Sequence, residues 1–97
     1  MDKIIYLSTL YEAYKNLFTE KQKKYFEDYY YNDLSLSEIA ENENVSRNAV
    51  HSQIKIVEEK LEEFEKELQL IEKKKIVLEI VKNKISDNDY QKIEELL

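Results

Sequence analysis

Residues 36–55 read LSEIAENENVSRNAVHSQIK, and this stretch decides the fold. Two helices that cross closely need a small side chain at the crossing, and Ala40 supplies it. Four positions later the turn needs a residue that tolerates left-handed geometry. Glycine is usual there, and Asn44 is the best substitute, because a short polar side chain lowers the cost of positive φ. An apolar residue directly after the turn, Val45, and another five positions on, Val50, lock the second helix over the first. Ile39, Ile54 and Val57 extend that contact. Ser35 and Ser46 stand where each helix should begin, as oxygen-bearing caps for unpaired helix N–H groups. The pattern predicts a helix-turn-helix over 35–57, whose second helix starts at Ser46.

If that second helix enters a major groove N-terminus first, its outward face is Arg47, Asn48, His51, Ser52 and Lys55, with Ala49, Val50, Gln53 and Ile54 turned to the scaffold. Arginine suits guanine O6 and N7, and asparagine suits adenine N6 and N7. Ser46, the first helical N–H groups and Lys55 suit phosphates. The candidate DNA-binding residues are therefore Ser46, Arg47, Asn48, His51, Ser52 and Lys55. The competing reading is a solvated helix start on a protein-binding module, since Glu38, Glu41 and Glu43 flank the unit.

Outward from this unit the chain reads as all-α. Ser or Thr with Glu, Gln or Asp three residues on is the capping box, seen at Thr19/Gln22, Ser35/Glu38 and Ser86/Asp89. These caps place helices near 3–18, 20–31, 36–42, 47–73 and 87–96, with 75–85 also helical. No alternating strand pattern or hairpin turn occurs, so no wing is expected beside the helix-turn-helix. In the first helix Ile5, Leu7, Leu10, Tyr14, Leu17 and Phe18 form an apolar stripe; the second offers Tyr25, Phe26, Tyr29 and Tyr30. Eight tyrosines could suggest a base-stacking surface, but rings that close a small core, with hydroxyls in water, fit better.

From Val50 the apolar residues Val50, Ile54, Val57, Leu61, Phe64, Leu68 and Ile71 alternate in steps of four and three, the seam of a coiled coil. Glutamates flank it. The seam would continue at position 75, which is a lysine inside Lys73-Lys74-Lys75, so a kink or helix end is expected there. Ile76, Val77, Leu78, Ile80, Val81 and Ile85 then lie on more than one face, and such a segment needs cover from its own chain or from a partner. Seam and segment together point to a homodimer; the alternative is an antiparallel return of the C-terminal helices onto the long one. Residues 1–57 form an N-terminal bundle, and 58–97 a long continuation with short C-terminal helices in the same folding unit.

Composition bounds the function. The 97 residues carry no Gly, Pro or Cys and a single His, which leaves neither a thiolate nucleophile nor a convincing metal site. No cofactor is implied, and with no phosphate loop or ligand cluster an enzyme is not expected. Charged residues within the N-terminal apolar positions argue against a spanning or signal segment, so the expectation is a cytoplasmic protein. Net charge is −6, unevenly spread: 58–72 sum to −5, 73–85 to +4 and 86–97 to −3. An acidic chain has no long-range pull toward polyphosphate, so any DNA contact has to be local or strengthened by avidity.

The stretch LFTEKQKKYFEDYYYNDLSLSEIAENENVSRNAVHSQIKIVEEKLEEFEKEL resembles the C-terminal helix-turn-helix of bacterial sigma factors, a sigma region 4-like unit. The matching residues are Ser35 to Glu41, Val45, Ser46, Arg47, Ala49 and Val50. More closely, residues 5–70 resemble the YlxM-type family of small helix-turn-helix proteins, whose genes accompany those of the signal recognition particle GTPase. The helix-turn-helix residues point to a DNA-binding regulator, and the resemblance implies a cytoplasmic regulatory protein tied to the signal recognition particle pathway. The alternative it implies is an interaction module, docking on a particle component through the acidic helix 58–72 or the apolar segment 76–85. Two features depart from these patterns: Asn44 replaces the turn glycine, and Ile56, Val57, Glu58 and Glu59 replace part of a basic run.

Overall fold

The computed structural model describes residues 2–97 as six α-helices. They are α1 (Lys3–Tyr14), α2 (Glu20–Tyr30), α3 (Leu36–Glu43), α4 (Arg47–Leu68), α5 (Leu70–Val81) and α6 (Asp87–Leu96), with a 3-10 turn over Lys15–Leu17. The described residues contain no strand, as the sequence pattern requires.

The caps act as read, with one exception. At Thr19 and Ser35 the full reciprocal box forms with Gln22 and Glu38. At Ser86 only half of it does: the hydroxyl accepts from the Asp89 N–H at 3.1 Å, and the Asp89 side chain does not reach back. Aspartate is one methylene shorter than the glutamate that usually closes this box. α1 has a cap the sequence reading did not assign, Asp2, whose carboxylate accepts from the Ile4 N–H at 2.7 Å.

α4 is the spine. One buried cluster sets Val57 and Leu61 of α4 against Leu7, Leu10, Tyr11 and Tyr14 of α1, with Phe18 and Phe26. The other sets Val50 and Ile54 against Ile39 and Ala40 of α3 and Tyr25 of α2. Tyr30 packs on both and joins them. The seam from Val50 to Leu61 is thus covered by the chain's own helices.

Three packing expectations need correction. Ile5 and Leu17 are exposed, and Tyr11, absent from the predicted stripe, is fully buried and stacked on Phe26 at 4.2 Å. α1 ends at Tyr14, and the tighter 3-10 turn that follows rotates Leu17 outward before the extended Phe18 turns back in. Nor are the tyrosine hydroxyls left to water alone: five of the eight bond to glutamates. Tyr6, Tyr11, Tyr14, Tyr30 and Tyr31 bond to Glu62, Glu27, Glu65, Glu58 and Glu12 respectively. Burial first, and the adjacent carboxylate second, raise the Tyr11, Tyr14 and Tyr30 phenols; the same causes push Tyr31 up to about 12.

The third concerns the break after the long helix. It falls at Gln69, not at Lys73–Lys75, which lie within α5. Gln69 is left-handed (φ 54°, ψ 35°), a conformation that costs a non-glycine residue about 1–2 kcal/mol. Tertiary bonds hold it there. Tyr14 donates to Glu65 Oε1 at 2.7 Å and accepts from the Leu70 N–H at 3.1 Å. The Glu65 carboxylate accepts from the Ile71 and Glu72 N–H groups at 3.1 and 3.2 Å. Glu65 and Tyr14 together cap α5, whose first N–H groups would otherwise lack partners. α5 then turns back along α1 and packs with α6.

Candidate nucleic-acid interface

The helix-turn-helix forms around Asn44, at φ 56° and ψ 46°. Its N–H reaches the Glu41 carbonyl at 3.3 Å, and the Val45 N–H reaches the Ala40 carbonyl at 3.0 Å. These two bonds close a Schellman turn, which satisfies the last carbonyls of α3 without a glycine. Ala40 is buried at the α3–α4 crossing, Val50 is fully buried beneath it, and Val45 is half-buried against the same cluster. Ser46 then caps α4, its hydroxyl accepting from the Ala49 N–H at 3.1 Å.

Arg47, Asn48, His51, Ser52 and Lys55 are all exposed on the first turns of α4. Their directions differ. With about 100° between successive residues, and Val50, Ile54 and Val57 facing inward, Asn48, Ser52 and Lys55 point most directly away from the core. His51 lies on one flank. Arg47 stands nearer the core side, lining a groove of about 700 Å³ with Ser35, Leu36, Glu38, Tyr29 and Lys3. Ala49 is exposed rather than turned to the scaffold, since its position falls on the opposite flank from His51. Its methyl is the size that fits against a thymine methyl.

The electrostatics are mixed but ordered. Among the described residues neither Arg47 nor Lys55 takes part in an ion pair. Of the flanking acids, Glu43 pairs with Lys24 at 3.4 Å. Glu38 is held by the Ser35 N–H at 3.0 Å, and that bond lowers its carboxyl below the usual range. Glu58, one turn past Lys55, accepts from the Tyr30 hydroxyl. A further contact had no signal in the sequence: Gln22 donates to Gln53 at 3.4 Å across 31 positions. It brings the first turn of α2, with the exposed Lys21, alongside the Gln53 flank of α4.

The comparisons with known proteins concern this same unit. The family described as "Putative helix-turn-helix protein, YlxM / p13 like", UPF0122, matches residues 1–97. The chain belongs to the UPF0122 family. A UPF0122 protein of Malacoplasma penetrans is 49% identical over 83 residues, covering 86% of this chain and 77% of the relative. One from Mycoplasma capricolum is 43% identical over 88 residues, covering 91% and 77%. One from Shouchella clausii is 47% identical over 73 residues, covering 75% and 67%. Membership agrees with the resemblance read from the sequence, and the family's description names a fold rather than a reaction. In this UPF0122 chain no described helix is long and apolar enough to cross a membrane.

Proposed function

We propose that the protein is a cytoplasmic DNA-binding regulator that acts as a homodimer. In this reading Asn48, Ser52 and Lys55 face the floor of a major groove, and His51 reads its edge. Arg47 reaches a base or phosphate from the α3 side, and Ser46 with the first N–H groups of α4 takes a phosphate. One observation carries it: the start of α4 is set by the hydrogen-bonded Asn44 turn and the Ser46 cap while its polar face is exposed. With two cations on that face and a net charge of −6, one copy binds weakly, and two copies on a paired site supply the avidity.

The test is fluorescence anisotropy of labelled duplexes, including DNA upstream of its own gene, at low and rising salt. Binding that weakens with salt, and by about tenfold or more with Arg47→Ala, is the expected result. Absence of binding to every duplex at low salt rejects the proposal.

A second reading makes the chain a docking module for a signal recognition particle component. The exposed Ile76 and Ile80 favour its apolar-segment version. The version through the acidic helix has less support, because Glu58, Glu62 and Glu65 already serve the tyrosines of the chain itself.

A further inference from the structure

α5 has two apolar faces, and the fold uses one. Ile71, Leu78 and Val81 are half-buried on the side that meets α1 and α6. Ile76, Val77 and Ile80 form a separate stripe, 45%, 36% and 57% exposed, with Lys73 one turn before it. Leu96 on α6 is 84% exposed. Clustered apolar side chains of this size in water mark a surface that another molecule covers.

Charge indicates which molecule. Segment 73–85 carries five lysines against one glutamate, whereas 86–97 sums to −3. The apolar end of α5, with the turn that follows it, is therefore cationic, and it lies beside the acidic α6. Pairing α5 with α5 of a second copy in the parallel sense would set each of lysines 73–75 against its own copy. The antiparallel sense offers those lysines only Glu72 and Glu79, where α6 offers four acids. The outer side of α4 fits poorly too, since its exposed residues from Glu59 to Glu67 are all charged. α6 offers both opposite charge, through Asp87, Asp89, Glu94 and Glu95, and the exposed Leu96.

We propose that a second copy of the chain covers this face, with α5 of each protomer lying against α6 of the other. The contact is isologous, so one twofold axis satisfies both hairpins at once. It leaves the polar face of α4 free, and it assigns a surface to the dimer on which the DNA-binding reading above relies.

Sedimentation equilibrium of the full chain, with three variants, tests it. The unmodified chain is expected at twice the chain mass at micromolar concentration. Ile80→Glu, at a site the fold does not cover, is expected to halve that mass with helicity unchanged by circular dichroism. A variant carrying Lys82→Glu and Lys84→Glu, and another carrying Asp89→Lys and Glu94→Lys, should each be monomeric alone. Mixed, they should pair, because both α5–α6 contacts then join opposite charges. A monomeric unmodified chain, or a dimer indifferent to Ile80→Glu, overturns the proposal. So does a dimer that survives the α6 reversals, since α5–α5 pairing would ignore them. Duplex binding by these same monomers, measured separately, reports on the DNA reading independently of the interface.

Discussion

Replacing Glu65 with alanine should destabilise the protein far more than a half-exposed helix position ordinarily allows. The carboxylate holds three donors: the Tyr14 hydroxyl at 2.7 Å and the N–H groups of Ile71 and Glu72 at 3.1 and 3.2 Å. Tyr14 is only 1% exposed, and Glu65 is the one acceptor its hydroxyl has. A buried donor left without its acceptor costs about 1–3 kcal/mol. The two amides form the first turn of α5, where solvent can reach, and losing a cap there costs about 1 kcal/mol. The sum is about 2–4 kcal/mol, a large part of the roughly 5–15 kcal/mol that holds a domain together. At this chain length it lowers the melting temperature by about 10 °C or more. Urea titration followed by circular dichroism measures it, with Tyr14→Phe and the double variant completing a cycle. Because both side chains serve one network, the double variant should lose about 1–2 kcal/mol less than the sum of the singles. Strict additivity, or a loss for Glu65→Ala of less than about 0.5 kcal/mol, an ordinary surface value, would refute the assignment of the α4–α5 break to this network.

Two further predictions concern the core and the tyrosines. Ala40→Leu should cost about 1–3 kcal/mol in the same urea titration, because the α3–α4 crossing has no room for a larger side chain, and it should weaken any duplex binding in parallel. Above pH 10 stability should fall, since the raised phenols of Tyr11, Tyr14, Tyr30 and Tyr31 keep their protons in the folded chain while the unfolded chain loses its own. The unfolded state then binds fewer protons, and for Tyr31 the loss spans pH 10 to about 12. In a variant whose other four tyrosines are phenylalanine, tyrosinate absorbance and helicity should change together in an alkaline titration; early ionisation with helicity intact contradicts the bonding described.

What could be read from the chain, and what could not, follows from the range of the forces involved. Caps, the Asn44 turn and the Val45/Val50 lock are short-range, set by residues within one or two turns, so the helix-turn-helix and its exposed polar face were legible. The Gln69 break was not. It stands in a helical stretch with no glycine or proline, and its position is decided by Tyr14, 55 residues away. The lysine run drew the expected break instead because it interrupts the apolar seam, yet exposed lysines continue a helix readily. Arg47 reads as one of five outward residues; the angle around α4 puts it toward the core side, beside Glu38. Five tyrosine–carboxylate bonds were invisible for the same reason as the break, since each joins residues 16 to 56 positions apart.

Those bonds change what the acidic helix means. Read along the chain, 58–72 is a block of −5 that ought to repel polyphosphate and attract a basic partner. In the fold its glutamates separate into two rows. Glu58, Glu62 and Glu65 turn toward α1 and α2 and accept from Tyr30, Tyr6 and Tyr14, so their charge is part of how the bundle closes. Glu59, Glu63 and Glu67 face solvent. The first row lies behind the reading face or farther down the helix, and Lys24 neutralises Glu43 at the other end of the unit. At an ionic strength near 0.15 M, charges more than about 8 Å from a bound phosphate are largely screened. On the proposed reading, the glutamate of this block nearest a bound duplex is therefore Glu59, one turn beyond Lys55. Net charge is a poor guide to the surface at the start of α4: part of the negative charge is structural, and the solvent-facing row of this block lies toward the end of α4 away from its capped, polar start.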